Sequence, residues 1–226
     1  MRHDRVMAPV RITATSGSID VQAETRDDVV VDRGQSHPMG GILEVQGEDR
    51  GIVMRVPVGT DVVVGSHSGQ VKLRGEFGEV RATTRSGRVE IESCTALDVR
   101  TVSGRIEVGT VKGDARIKAA NGRVEVGRVD GELRAASVSG RIEVKSAGGP
   151  VRANSVSGRV DIGLNRAVDA RADSVSGRVT IRLPKGVHPE TSLLSISGEC
   201  SCEPEKGTDC CVTGRTVSGT IAVVEA

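Results

Sequence analysis

One short phrase, written six times between Arg81 and Ile181, constrains this chain more than anything else in it. It reads Arg85-Ser86-Gly87-Arg88-Val89-Glu90-Ile91, then Val102-Ser103-Gly104-Arg105-Ile106-Glu107-Val108, then Ala120-Asn121-Gly122-Arg123-Val124-Glu125-Val126. It returns from Val138, Val156 and Val175, with glycines at 140, 158 and 177, so successive glycines stand 17 to 19 residues apart. A fixed period of that size in a chain dense in Val, Gly and Ser predicts an all-β fold, a single-stack β-solenoid with coils of about 18 residues.

Within a coil, apolar and charged residues alternate after the glycine, as in Ile142-Glu143-Val144, and again before the serine, as in Leu133-Arg134-Ala135. Such alternation puts one set of side chains on one face of a strand. The two runs differ in parity across Ser-Gly, so the glycine is expected in a bend or bulge that only glycine adopts readily. A second corner falls at 109–113, 127–131 and 147–150.

Stacked coils would lie about 4.8 Å apart, the spacing of strands in any sheet, and equivalent residues then form columns. Val89, Ile106, Val124, Ile142, Val160 and Val179 make one apolar ladder, and Ile91, Val108, Val126, Val144, Ile162 and Ile181 a second. Val80, Leu97, Ala115, Leu133, Val151 and Ala170 make a third. A thin tube filled by such ladders has little room for rings, and the chain has one Phe, no Tyr and no Trp. Ser137, Ser155, Ser174, Thr84, Thr101 and Thr216 are the small residues expected to line the bend.

The organisation expected is one continuous domain in three parts: an irregular β-rich cap over 1–64, regular coils over 65–182, and terminal coils with a Cys-rich insertion over 183–226. Thr15-Ser16-Gly17-Ser18-Ile19-Asp20-Val21 repeats the phrase inside the cap, and the loop 34–41 reads as an exposed turn. After Ile181 the prolines Pro184 and Pro189 interrupt the strand, and the tract from Cys200 to Cys211 reads as a protruding hairpin or loop. No apolar run suits a secretory signal or a membrane span, so the expected location is cytoplasmic, unless a signal peptide was removed before residue 1.

The recurrent Val-Ser-Gly-Arg-Val-Glu-Val phrase, the Val56-Pro57 step and the ending Arg215-Thr216-Val217-Ser218-Gly219-Thr220-Ile221 resemble the bacterial β-strand-repeat family labelled "putative adhesin". The resemblance runs from about Arg11 to Val223. It implies the repeat fold and supplies no catalytic residue; the four-cysteine tract departs from its usual pattern.

Three sets of residues are candidates for function. Arg88, Arg105, Arg123, Arg141, Arg159 and Arg178 form an outward column beside Glu90, Glu107, Glu125, Glu143 and Asp161, which predicts a neutralised sheet face. Arg81, Arg116, Arg134, Arg152 and Arg171 form a second basic column with few acids in sequence beside it, a candidate stripe for polysaccharide or phosphate. Without aromatic platforms, and at a net charge of +1, nucleic acid is disfavoured. Second, if the serines and threonines point inward, Val102, Val138, Val156, Val175, Ile196 and Val217 point outward as an aliphatic ridge, an interaction or side-by-side packing face. Third, Cys200, Cys202, Cys210 and Cys211 could bind Zn²⁺, pair as disulfides or stay free, whereas Cys94 reads as a small buried residue.

Catalytic patterns are missing: the four histidines are scattered and there is no nucleophile elbow or phosphate loop. Asp114, Asp130, Asp161 and Asp169 read as turn residues. The expectation is a non-catalytic scaffold or binding module, with no small-molecule substrate and no required cofactor, that meets a protein partner or another copy of itself. A surface module binding glycan or envelope, and a metal- or redox-responsive protein acting through the C-terminal cysteines, are the alternatives.

Overall fold

The computed structural model describes residues 3–4, 9–14, 16–39, 42–47 and 51–225, with side chains left out of account at 3–4 and 38–39. Every regular element among them is a strand, and all belong to one sheet wound into a stack of rungs. Through the centre the register is the one the repeat dictates. Leu97, Ala115, Leu133, Val151 and Ala170 lie one above another, as do Ile106, Val124, Ile142, Val160 and Val179, all in parallel pairing. Each rung folds into two faces that meet at the Ser-Gly corner, and the inward columns of both faces form a continuous buried core.

The repeated glycine has a different cause from the one expected. In the corner column only Gly17, Gly69 and Gly87 have φ in the left-handed region; the rest use backbone open to any residue. What excludes a side chain is the rung below. A Cβ built on Gly104 would stand 2.5 Å from the carbonyl oxygen of Gly87. At Gly122, Gly140, Gly158 and Gly177 the carbonyl of the preceding corner glycine intrudes further still. The column runs Gly17, Gly69, Gly87, Gly104, Gly122, Gly140, Gly158, Gly177, Gly219, Gly198, each in contact with the next. Along this column corners can therefore stack at strand spacing only with glycine at each level.

A fourth ladder, not foreseen, closes the core at the second corner. Val111, Val129, Ala147 and Leu164 stack in register, and Cys94 and Phe77 are buried at the corresponding places in the two preceding repeats. The single aromatic ring is accommodated there, fully buried, near the start of the regular rungs.

Both ends depart from chain order, in the same way. At the N-terminal end Val10–Ala14 and Ile19–Glu24 sit between the rung of Ile42–Gly47 and Ile52–Pro57 on one side and the beginning of Val62–Val111 on the other. At the other end Cys210–Thr216 and Thr220–Glu225 slot between Ala170–Ser174 and Arg178–Leu183 below and Pro189–Ser195 and Glu199–Cys202 above. These inserted strands are thus paired on both edges. The outermost rung is made by the segment next along.

The loop expected at 34–41 is largely a strand: Gln35–Met39 runs antiparallel to Ile42–Gly47, while Gly40 and Gly41 fall outside the described residues. Val29–Arg33 likewise covers Ile52–Pro57, and Arg55 donates to both carboxylate oxygens of Asp32 at 2.7 and 3.0 Å across that pair. A chain that doubles back through a short turn presents an antiparallel strand, so this is how the first rung's free edge is satisfied. Of the hairpin or loop expected at the cysteine tract, a loop forms over 203–209, and the strands on either side of it are not a hairpin. Glu199–Cys202 ends the outermost rung and pairs in parallel with Thr220–Glu225, and Cys210 opens the rung beneath it. A rung must close before the next begins, so residues 203–209 carry the chain to the next level instead of reversing it.

Replacing Gly140 by alanine is expected to lower unfolding free energy by about 1–3 kcal/mol, the range for overpacking. Replacing exposed Ser139 beside it should change stability by no more than about 0.5 kcal/mol. Denaturant midpoints of the two variants measure the difference; equal midpoints would refute the carbonyl contact.

Candidate functional site

The bend at the Ser/Thr column builds an extended apolar surface that the repeat leaves outside the core. Thr84, Thr101, Ser137, Ser155, Ser174 and Thr216 point inward and are buried. Their neighbours therefore point out: Val102, Val138, Val156, Val175 and Val217 are 44 to 53 % exposed and Ile196 is 79 % exposed. The ridge read from the sequence is thus solvent-facing, and the structure adds a wall opposite it. Arg100, Lys118, Ala136, Asn154, Asp173, Arg215 and Leu194 stand two residues earlier in their rungs, on the far side of the buried hydroxyl column. Together the two walls enclose a groove of about 870 Å³ running along the solenoid. It crosses the rungs from Val102 to Ile196; in the two preceding rungs His67 and Arg85 take the ridge position and end the aliphatic strip.

The outward Arg column is neutralised as its composition predicts. Arg88 reaches Glu90 at 3.2 Å and Glu107 of the next rung at 2.7 Å; Arg105 repeats this with Glu107 at 2.9 Å and Glu125 at 3.1 Å. The zipper weakens toward Arg141, whose contact with Asp161 is 4.0 Å. These pairs are substantially exposed, so each contributes little to stability.

The second basic column is better compensated than its sequence suggests. Arg116, Arg134, Arg152 and Arg171 are in register as expected. Yet Arg81 pairs with Glu79 at 2.7 Å, Arg134 with Glu132 at 2.8 Å, and Arg171 with Asp173 at 2.9 Å, while Glu132 also lies 3.7 Å from Arg152. The Arg134 hydrogen bonds, with the charges of Arg152 and Arg116 nearby, hold the Glu132 carboxyl below its usual range despite some desolvation. The acids escape a linear reading because they stand two positions away along the strand, which is the same face.

Turn carboxylates are engaged with backbone. Asp61, Asp114 and Asp169 accept from the amides of Glu79, Glu132 and Cys211 at 2.7, 2.8 and 2.9 Å, each joining one corner to the next rung.

The five cysteines fall into different environments. Cys94 is fully buried, and desolvation pushes its thiol up to about 12. Cys200 and Cys202 occupy the core ladders, in register with Ile221 and Val223, but on the outermost rung, where no described strand covers them. Cys210 is buried, with its thiol shifted upward by burial and then by Asp169 and Asp209, while Cys211 points to solvent. Adjacent strand positions face opposite ways. Among the described residues no group of three or more His, Cys, Asp or Glu side chains could hold a metal ion.

A family model described as Toastrack DUF4097 matches residues 22–201, about four fifths of the chain, and the chain belongs to that family. No curated protein matches it significantly. Among solved structures it is similar to a "putative adhesin" from Bacteroides fragilis NCTC 9343, at 12% identity and a TM-score of 0.46, over 100% of this chain and 95% of that one. A "putative cell adhesion protein" from Clostridium sporogenes ATCC 15579 aligns at 9% identity and a TM-score of 0.27, over 98% and 94%. No helix among the described residues is long and apolar enough to cross a membrane.

In thiol titration of the native chain near pH 8, Cys200 and Cys211 should react fastest and Cys202 more slowly. Cys94 should react only after unfolding. Rapid labelling of Cys94 in the folded chain would contradict its burial.

Proposed function

We propose that the chain is a non-catalytic binding module in the cytoplasm whose docking surface is the valine-walled groove. The observation that carries this reading is the exposed aliphatic column itself. The two outward Arg columns carry ion pairs, whereas a contiguous apolar strip of this length marks an interaction surface. An aliphatic ridge facing a mixed wall of Arg100, Lys118, Asn154 and Asp173, over a floor whose hydroxyl side chains are buried, suits a protein surface better than a sugar, which calls for aromatic platforms and convergent polar groups.

The compensated second basic column supports the same choice, since Glu79, Glu132 and Asp173 already occupy much of its charge. Turn aspartates committed to backbone amides likewise favour a module without chemistry of its own.

The test is a photo-reactive residue placed at Val138 or, as control, at Arg116, irradiated in intact cells and followed by fractionation. Protein adducts of the unprocessed chain in the cytosolic fraction, from position 138 and not from 116, are expected. Adducts only from 116, or only from a processed exported chain, would replace this reading with a surface adhesive module.

A further inference from the structure

Resting on the groove reading, we infer that its occupant is a second copy of this chain, laid alongside the first about a two-fold axis parallel to the solenoid. The groove's period selects the partner. From Val102 to Ile196 the ridge spans six rung intervals, or about 29 Å at 4.8 Å each. A helix laid along it advances about 5.4 Å per turn and would be out of step by about 3.6 Å at the far end. An extended peptide repeats its facing side chains about every 6.7 Å and meets every rung differently. Only a surface with the same strand spacing makes the same contact at each level, and this chain carries one.

Symmetry then fixes the orientation. A two-fold axis along the solenoid reverses left and right while keeping each rung opposite its own counterpart. The ridge of one copy can enter the groove of the other, and the reverse, at every level. The charged wall, Arg100, Lys118, Asp173 and Arg215, then falls against Ser103, Asn121, Ser176 and Ser218 of the second copy, the column just beyond its ridge. Those residues are uncharged and, like the wall, exposed or half-exposed, so no like charges meet. An axis perpendicular to the solenoid sets ridge on ridge and leaves both grooves unfilled.

The size of the strip sets the strength. A strip of that length and roughly 15 Å width covers on the order of 400 Å² per copy, about half of the roughly 800 Å² per partner of a standard stable interface. The pair is accordingly a weak, reversible one that forms at high local concentration.

Sedimentation of the full chain between about 5 and 500 μM tests the pairing, the range being set by that sub-standard area. The mass should rise from the 23.6 kDa of one chain toward twice that value. The variant combining Val138→Asp and Val156→Asp should stay monomeric with an unchanged melting temperature, because both residues are outside the core. A wild-type chain monomeric throughout overturns the inference. If position-138 protein adducts persist in that case, the groove still binds another protein; if they are absent as well, both readings fall. For orientation, Val102→Cys and Val217→Cys are placed singly in a chain whose native cysteines are serine. Each should form a disulfide with its own kind under mild oxidation. Crosslinks obtained only when the two variants are mixed would overturn the axis.

Discussion

Everything in this molecule depends on how closely one glycine carbonyl approaches the next. Strands in a sheet stand about 4.8 Å apart, but a corner has to turn at that same spacing, and here the turning carbonyl lies where the following residue would carry its Cβ. With glycine at each stacked corner from Gly17 to Gly198 the rungs descend without slippage. A one-residue slip would put a side chain on the carbonyl and also turn the core-facing set outward. The buried ladders, the zipped Arg and Glu columns and the aliphatic groove are consequences of that single register. Each is one residue type repeated at one height in the coil.

The ends of the stack solve a separate problem. Any parallel stack leaves a row of unpaired amides and carbonyls at each end. Here Val10–Ala14 and Cys210–Thr216 lie one level inward of the outermost rungs, with neighbours on both sides. The first rung is then covered by the antiparallel strands of 29–39. The last is left with Pro189 at the start of its edge strand and Glu199 and Glu203 along it, residues that discourage further pairing. Leu193 of that rung fills the space above Gly214, where the rungs below have Ala153 and Ala172. The outer rung therefore contributes to the core though it is half open to water.

The central register and the ladders were legible in the sequence because periodicity specifies them twice, by the glycine interval and by the alternation. The swapped order at the ends was not. Thr216-Val217-Ser218-Gly219 and Ser195-Ile196-Ser197-Gly198 carry equivalent phrases, and nothing local says which lies nearer the centre. The reason for the glycines was also misread, since contact between rungs leaves no trace in one rung's own pattern. For the site, the outward valines were legible only on the condition that the neighbouring serines and threonines point inward, and both that condition and the facing wall at Arg100, Lys118 and Asp173 needed the geometry of the bend. The acids that neutralise Arg81, Arg134 and Arg171 were missed because pairing was sought along the column rather than two positions along the strand. Phe77 and Cys94, solitary in the sequence, turn out to share one inner corner with Val111 and Val129.

The most direct test is a pair of spin-label distances in a chain whose native cysteines are replaced, diluted with unlabelled protein. With one label at Val102, a second at Val217 should lie five rungs away, at about 24 Å, and a second at Ile196 six rungs away, at about 29 Å, on strand spacing. Position 196 must be the farther although it comes earlier in the chain. The opposite order, or separations unrelated to multiples of the rung height, would contradict the register from which the rest of the structure follows.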